Sequence, residues 1–214
     1  MKTPSLSQFL TGLLLSFMLL GLNARAAVII SDLGVATNNT FPSVTGNQQR
    51  GVVFTMGSTA YSVDSVILRL AIYDTPGDVA LLGFFEDGGS APGAQVGNYL
   101  IAPLSLGGTS FDYSFLPNGS LLLQPNTKYW MILDHPDGDP TSISWASSSP
   151  IVTPTGAGAT HNSFTASANN GASYGNPGIA YTFQINGTAV PEPSRALLLM
   201  AGLGALIVRR RRSC

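Results

Sequence analysis

Three carboxylates lie within six residues in the stretch Asp134-His135-Pro136-Asp137-Gly138-Asp139. Carboxylate oxygens are preferred ligands of Ca2+, and Gly138 allows the sharp bend that would bring Asp134, Asp137 and Asp139 around one ion. The spacing differs from that of an EF-hand loop, and the same residues also suit a hairpin turn in which aspartates cap their own backbone. The stretch therefore predicts either a calcium site or an ordinary turn.

The two histidines, His135 and His161, lie in stretches of turn-forming or small residues. Neither belongs to a His-x-His or His-Glu-x-x-His pattern, and the single cysteine is the last residue, Cys214. A zinc site has little support on these patterns, and we expect both histidines to be solvated.

The sequence contains few residues that are suited to catalysis. We expect no serine nucleophile of the Gly-x-Ser-x-Gly type, because none lies in a predicted strand-turn-helix elbow. Glycoside hydrolysis needs two facing carboxylates, one of them kept protonated by burial. Glu86 opens a glycine-rich turn, which leaves only Asp112 and Asp134 as a pair that folding could bring together. We therefore expect no catalytic residue.

Exposed aromatic side chains could stack on sugar rings. Trp130 lies in a predicted apolar strand and is expected in the core. Tyr99, Tyr113, Trp145 and Tyr174 are the candidates for sugar stacking, although core placement is the simpler explanation for each one alone. A carbohydrate-binding module would show such side chains aligned on one face of a sheet.

Residues 1–26 have the layout of a secretory signal peptide. Lys2 gives a positive start, and Phe9 to Leu22 form an apolar stretch with no cysteine after it. The small residues that signal peptidase needs around its cut are Ala24, Ala26 and Ala27. We expect cleavage before Ala27, with a permanent signal anchor as the alternative.

Residues 189–214 carry three features in order. Val190-Pro191-Glu192-Pro193 comes first, an uncharged apolar run of 13 residues at 196–208 follows, and Arg209 to Arg212 come last. A helix of this length covers about 20 Å, whereas the hydrocarbon layer of a bilayer is about 30 Å thick. Because arginines stay on the cytoplasmic side, we expect a marginal transmembrane helix with the preceding module outside.

This order of features resembles the PEP-CTERM sorting signal of Gram-negative bacteria that make exopolysaccharide. The resemblance covers about 25 residues. It implies recognition by exosortase, a membrane protease, and transient anchoring in the inner membrane before delivery to the cell surface or extracellular matrix. The residues that carry it are Val190, Pro191, Glu192 and Pro193, with Arg209, Arg210, Arg211 and Arg212 as the stop. The alternative is a tail anchor that is never cut.

The charge of the central module, residues 27–188, limits its partners. This region holds three basic and ten acidic residues, a formal charge of −7, although the whole chain carries only −1. An acidic surface that is poor in lysine repels phosphate backbones, which excludes nucleic acid as a partner. The absence of cysteine from this region also excludes disulfide bonds as its stabilising element.

Short apolar segments separated by Gly, Pro, Asn and Asp recur through the central module and predict β-strands. The segments are 28–30, 51–56, 63–73, 79–85, 99–104, 111–115, 120–123, 129–134, 142–145 and 179–185. The small-residue stretch 147–177 predicts either a surface excursion or outer strands. We expect an all-β, jelly-roll-like antiparallel β-sandwich, flanked by an N-terminal signal helix and a C-terminal transmembrane helix.

The module also resembles the R-type choice-of-anchor domains, β-rich exported modules that precede various anchors. The resemblance covers most of residues 45–150 and implies no activity or site. The matching segments are 53–57, 61–66, 83–87, 92–93 and 122–130.

The leading hypothesis from sequence is a non-catalytic surface or matrix protein with a role in adhesion or in an exopolysaccharide matrix. Its expected partners are signal peptidase, an exosortase-type enzyme and the inner membrane, with exopolysaccharide as a further candidate. No cofactor is expected other than the Ca2+ considered above. The alternatives are a carbohydrate-binding β-sandwich module and, less well supported, a secreted enzyme similar to glycoside hydrolases.

Overall fold

The computed structural model describes residues 26–35, 40–73, 79–104, 110–136, 142–148 and 150–191. The apolar part of the predicted signal peptide, the predicted transmembrane helix at 196–208 and the arginine cluster lie outside the described residues. Over the described ranges the chain is all-β, as expected, and no helical segment there has the length and hydrophobicity needed to cross a membrane.

Fourteen strands occur in the described residues. They are β1 Ala26–Ser31, β2 Ser43–Val44, β3 Gln49–Met56, β4 Ala60–Ala71, β5 Leu81–Asp87, β6 Pro92–Val96, β7 Phe111–Phe115, β8 Leu122–Leu123, β9 Lys128–Asp134, β10 Ile143–Trp145, β11 Ser147–Ser148, β12 Ala159–Ser167, β13 Ala180–Tyr181 and β14 Phe183–Val190.

The strands form three antiparallel sheets in the part of the chain that the structure describes. A seven-stranded sheet has the order β1-β14-β4-β10-β2, and β7 and β8 also pair with the long strand β4. A five-stranded sheet has the order β12-β3-β9-β5-β6, and β11 pairs with β13 in a small third sheet. Antiparallel strands bury alternate residues on one face, which explains the period of two in the sequence.

The two larger sheets share one hydrophobic core. The seven-stranded sheet contributes Val66, Leu68 and Phe183 to the cluster, and the five-stranded sheet contributes Phe54 and Phe84 from its facing side. All five side chains are fully buried. A second, smaller cluster of buried residues lies on the opposite side of the five-stranded sheet.

Parts of the strand prediction differ from the structure. Residues 99–104 form no strand, and only Ile101 makes an isolated bridge, to Leu116. The predicted strand at 179–185 is interrupted at Thr182, between β13 and β14. The small-residue stretch contains an edge strand, β12, because its backbone pairs with β3 even though few of its side chains are large and apolar.

Candidate functional site

The outer face of the five-stranded sheet, which points away from the shared core, carries an open cleft of about 240 Å³. Side chains along β9 alternate between the two faces of the sheet. Tyr129, Met131 and Leu133 belong to the core cluster, so the intervening side chains point to the outer face, where the cleft lies. The principal lining residues, referred to together as the tyrosine cleft, are Gln49, Phe85, Tyr99, Ile132, Asp134 and Tyr174.

Two glycines make room for the cleft. Gly51 of β3 and Gly83 of β5 pair with Ile132 from its two sides. A Cβ atom at Gly51 would collide with the Ile132 side chain, and one at Gly83 would lie 3.0 Å from ring carbons of Tyr99. Glycine within a strand often marks such a close approach. The Tyr99 ring therefore lies directly over the backbone of β5.

A hydrogen-bonded row of polar groups forms one wall. The Tyr174 hydroxyl donates to Gln49 Oε1, and Gln49 Nε2 donates to Asp134 Oδ2 over 2.9 Å. The second carboxylate oxygen of Asp134 accepts from the backbone amide of His135 over 2.8 Å. The carboxylate is therefore held in a fixed position at the cleft, with lone pairs that can accept more than one bond each.

The aromatic wall rests on the small outer cluster. Tyr174, from the loop after β12, packs edge-to-face on Trp130 with ring centroids 5.5 Å apart. Trp130 and its neighbours Val53 and Ile132 are buried, and Trp130 Nε1 donates to Asp87 over 2.8 Å. Tyr99 is 37% exposed. The cleft therefore presents one supported ring and one accessible ring.

The electrostatics of the cleft are negative. Burial, and after it the charge of Asp134, raises the pKa of Tyr174 to about 12 and also raises the pKa of Tyr99. Both hydroxyls are protonated at neutral pH. The described residues contain three lysine or arginine side chains, Arg50, Arg69 and Lys128, and none of them lines the cleft.

The structure brings together two of the four aromatic residues that were candidates for sugar stacking. Tyr99 and Tyr174 line the same cleft. Tyr113 and Trp145 lie in the core, which was the simpler explanation for each, and they are not available for stacking. Tyr113 is 3% exposed and donates to the Tyr73 carbonyl, and the fully buried Trp145 donates to the Thr182 carbonyl over 2.8 Å.

The three aspartates of the calcium hypothesis are described only in part. Asp134 lies in the cleft, whereas Asp137 and Asp139 lie outside the described residues. Within the ranges that the structure covers, no group of three or more His, Cys, Asp or Glu side chains is placed to hold a metal ion. Calcium binding stays a prediction.

The carboxylates Asp112 and Asp134 have separate partners. Asp112 of β7 forms an ion pair with Arg69 of β4 in the seven-stranded sheet, at 2.7 Å, and Asp134 belongs to the five-stranded sheet. Glu86 is exposed, as expected, but it lies in strand β5 opposite Tyr129 and does not open a turn.

The expectation of solvated histidines was wrong for His135, which is 1% exposed. His161 is partly buried, with its ring 4.4 Å from that of Phe164. Burial lowers the pKa of His161, so this ring is neutral at pH 7.

Residues 171–175, Gly-Ala-Ser-Tyr-Gly, do have the Gly-x-Ser-x-Gly spacing, contrary to the expectation from sequence. They form a loop after β12, and no helix follows in the described residues up to 191. Ser173 Oγ accepts from Asn169 Nδ2 over 2.9 Å. These residues therefore do not form the strand-turn-helix elbow that would expose a serine nucleophile.

Four of the residues predicted for processing, Ala26, Ala27, Val190 and Pro191, are described, and they lie at or next to the ends of β1 and β14. Ala26 and Ala27 begin β1 and pair with Thr188 and Gly187 of β14. Strand β14 continues to Val190, two residues beyond the predicted end of the module at 188, and the exposed Pro191 follows. The remaining predicted residues, Ala24, Glu192, Pro193 and Arg209 to Arg212, lie outside the described residues.

The cleft also contains Gln49, Phe85 and Ile132, which were not predicted from the sequence. The available signal was the pair Gly51 and Gly83, each inside a strand or at its predicted start, where glycine often marks a close approach. The pairing that places both beside Ile132 depends on strand order, which the sequence does not contain.

No model of a known protein family matches the chain, and no curated protein is significantly similar to it. Function must therefore be inferred from the residues of this chain.

Proposed function

We propose that the protein is an exported, non-catalytic cell-surface or extracellular-matrix protein, delivered by an exosortase-type enzyme and serving in adhesion or in an exopolysaccharide matrix. Support comes from the signal-peptide layout at 1–26 and from the Pro-Glu-Pro, apolar and arginine features of the C-terminal tail. The all-β module between them has the two facing sheets of a jelly-roll-like sandwich, which we propose as its architecture.

The observation that carries this proposal is the pairing of the two ends of the module. Ala26 lies opposite Thr188, so β1 begins where β14 approaches its end, with Val190 and Pro191 immediately beyond. Because β1 and β14 are antiparallel neighbours, the chain enters β1 and leaves β14 at the same end of the sheet. One bilayer surface can therefore receive both the predicted leader and the tail without the module having to span the membrane.

The test is mass spectrometry of the full chain in surface, secreted and membrane fractions of the producing cell. We expect a product that begins at Ala27 and ends near Pro191 to Pro193. Replacing Arg209 to Arg212 with glutamine should remove the stop and reduce surface delivery. Replacement with lysine, the matched control, keeps the charge and should preserve delivery. A surface product that retains all 214 residues would overturn the proposal.

A second candidate function is carbohydrate binding by the module. The specific observation in its favour is that Tyr99 and Tyr174 line one cleft on an outer sheet face. This function is compatible with the first, since a matrix protein that binds polysaccharide would be retained where it is delivered.

A further inference from the structure

We propose that the tyrosine cleft binds a hexosamine unit of a polysaccharide, with the sugar ring against Tyr99 and Tyr174 and its protonated amine at Asp134. This inference rests on the carbohydrate-binding candidate above and goes beyond it by naming the class of sugar.

The size and lining of the cleft suit one sugar ring. Its volume of about 240 Å³ is below the roughly 300–1,000 Å³ of pockets for drug-sized ligands, so a single ring fits better than several. Tyr99 is accessible, and Tyr174 is supported from below by Trp130. Tyrosine combines an apolar face for the C–H groups of a pyranose with a hydroxyl for hydrogen bonds.

The open cleft suits a sugar unit that lies within a longer polysaccharide. The cleft lies beside β6, the strand at one edge of the five-stranded sheet, and Gly93 of β6 is part of its rim. Gly93 and its neighbours Ala94 and Gln95 are exposed. A polymer can therefore continue past the bound ring along this edge.

The charge distribution favours an amine over a carboxylate on the sugar. Asp134 is the carboxylate in the lining, and its position is fixed by Gln49 Nε2 and the His135 amide. Arg69 and Lys128 form ion pairs with Asp112 and Asp87, and Arg50 donates to the Ser43 carbonyl, so these cations are occupied outside the cleft. A uronic acid would meet a negative cleft without a lysine or arginine in its lining, whereas an ammonium group also gains from the tyrosine faces.

The experiment compares binding of the full chain, in a non-glycosidic detergent, to three immobilised probes: a β-linked glucosamine oligomer, its N-acetylated counterpart and an oligogalacturonate. We expect the glucosamine oligomer to bind tightest and the uronate weakest. Tyr99→Ala should weaken glucosamine binding about tenfold, while Phe111→Ala, which removes an equally exposed ring on the other large sheet, should not.

Asp134→Asn should remove most of the preference for glucosamine over its N-acetylated form, because the asparagine keeps an acceptor for Gln49 but loses the charge. Asp64→Asn, an exposed aspartate on the seven-stranded sheet, is the matched control and should leave the preference intact. Circular dichroism of each variant verifies the fold.

Three results would overturn the inference: tighter binding of the uronate, an unchanged preference in Asp134→Asn, or unchanged affinity in Tyr99→Ala. If Tyr99→Ala weakens binding but the wild type binds all three probes equally, the cleft binds carbohydrate but the hexosamine assignment fails. If no probe binds, the carbohydrate-binding candidate fails as well, whereas surface delivery, measured by mass spectrometry, is unaffected by either outcome.

Discussion

Alternate residues of the same strands form the inner and outer faces of the five-stranded sheet. The inner face packs on the seven-stranded sheet, whereas the outer face is covered only in part. On the inner face, Phe54 and Phe84 meet edge-to-face with centroids 6.3 Å apart and are fully buried against the seven-stranded sheet. On the outer face, Trp130 and Ile132 are covered by Tyr174 and Phe85, and the polar pair formed by Gln49 and Asp134 lies in the open cleft.

This contrast shows how one sheet can supply both stability and a binding surface. A face that meets another sheet must be apolar or keep its polar groups paired, as the Tyr129 hydroxyl is with the Gln124 amide, because an unpaired polar group there would lose its hydrogen bonds to water. A face covered by a single loop can keep polar groups at its margin, provided that each has a partner or remains solvated. The cleft lies at that margin, so changes there should affect binding more than folding.

The largest predicted effect compares two adjacent residues of β3. Phe54→Ala on the inner face should lower the free energy of unfolding by about 3–5 kcal/mol, because it removes a ring that packs on Phe84 and Tyr129 and leaves a cavity. Val53→Ala on the outer face should cost about 1–2 kcal/mol, because less apolar surface is lost and the covering loop can move inward. Urea unfolding followed by circular dichroism measures both. Equal losses would mean that the outer cluster is as essential to the fold as the core.

The next prediction compares two aspartates. Asp32 is 5% exposed, accepts from the Phe183 amide over 2.8 Å, and has a pKa raised to about 7, chiefly by burial. Its pKa in the unfolded chain is about 4, so between about pH 4 and pH 7 the folded state keeps a proton that the unfolded state has released. Stability contributed by this proton is therefore lost as the pH rises through that window.

Asp32→Asn keeps the acceptor and removes the charge. At pH 8 we expect the variant to be more stable than the wild type by on the order of 2–4 kcal/mol, and near pH 4 the two should be similar. Asp134→Asn, in the cleft, can keep only one of the two hydrogen bonds that the carboxylate accepts, so it should lower the free energy of unfolding by about 1 kcal/mol at both pH values. Thermal unfolding at both pH values measures this. Destabilisation of Asp32→Asn at pH 8 would show that the ionised Asp32 is stabilising, contrary to the burial argument.

Much of the sheet framework is predictable from the sequence. The segments 51–56, 111–115 and 129–134 match β3, β7 and β9 closely because their apolar residues alternate or are dense enough to mark a strand. Strands β2, β6 and β12 were missed or left open, since Ser43–Val44 is short and Pro92–Val96 lacks large apolar side chains. The backbones of β2 and β12 pair with strands that are distant in sequence, whereas β6 pairs with the preceding strand β5.

The candidate site was predictable only in part, because its residues are brought together by pairing between strands that are distant in sequence. Tyr99 and Tyr174 were identified by residue type, but so were Tyr113 and Trp145, which lie in the core. Residue type alone does not separate a stacking ring from a core ring when the surrounding segment is short. The contact of Tyr174 with Gln49, 125 positions apart, depends on pairing of β12 with β3.

The most direct test of the division between core and cleft uses the two tryptophans of the chain as reporters, one for each region. Trp130 lies under Tyr174 at the cleft, and Trp145 stacks on Tyr181 in the core, with ring centroids 4.9 Å apart. Their indole N–H signals can be followed by NMR during titration with the glucosamine oligomer, after assignment with Trp130→Phe. We predict that the Trp130 signal shifts in a saturable manner while the Trp145 signal stays fixed. A shift of Trp145 alone, or of neither signal at saturating oligomer, would contradict the account.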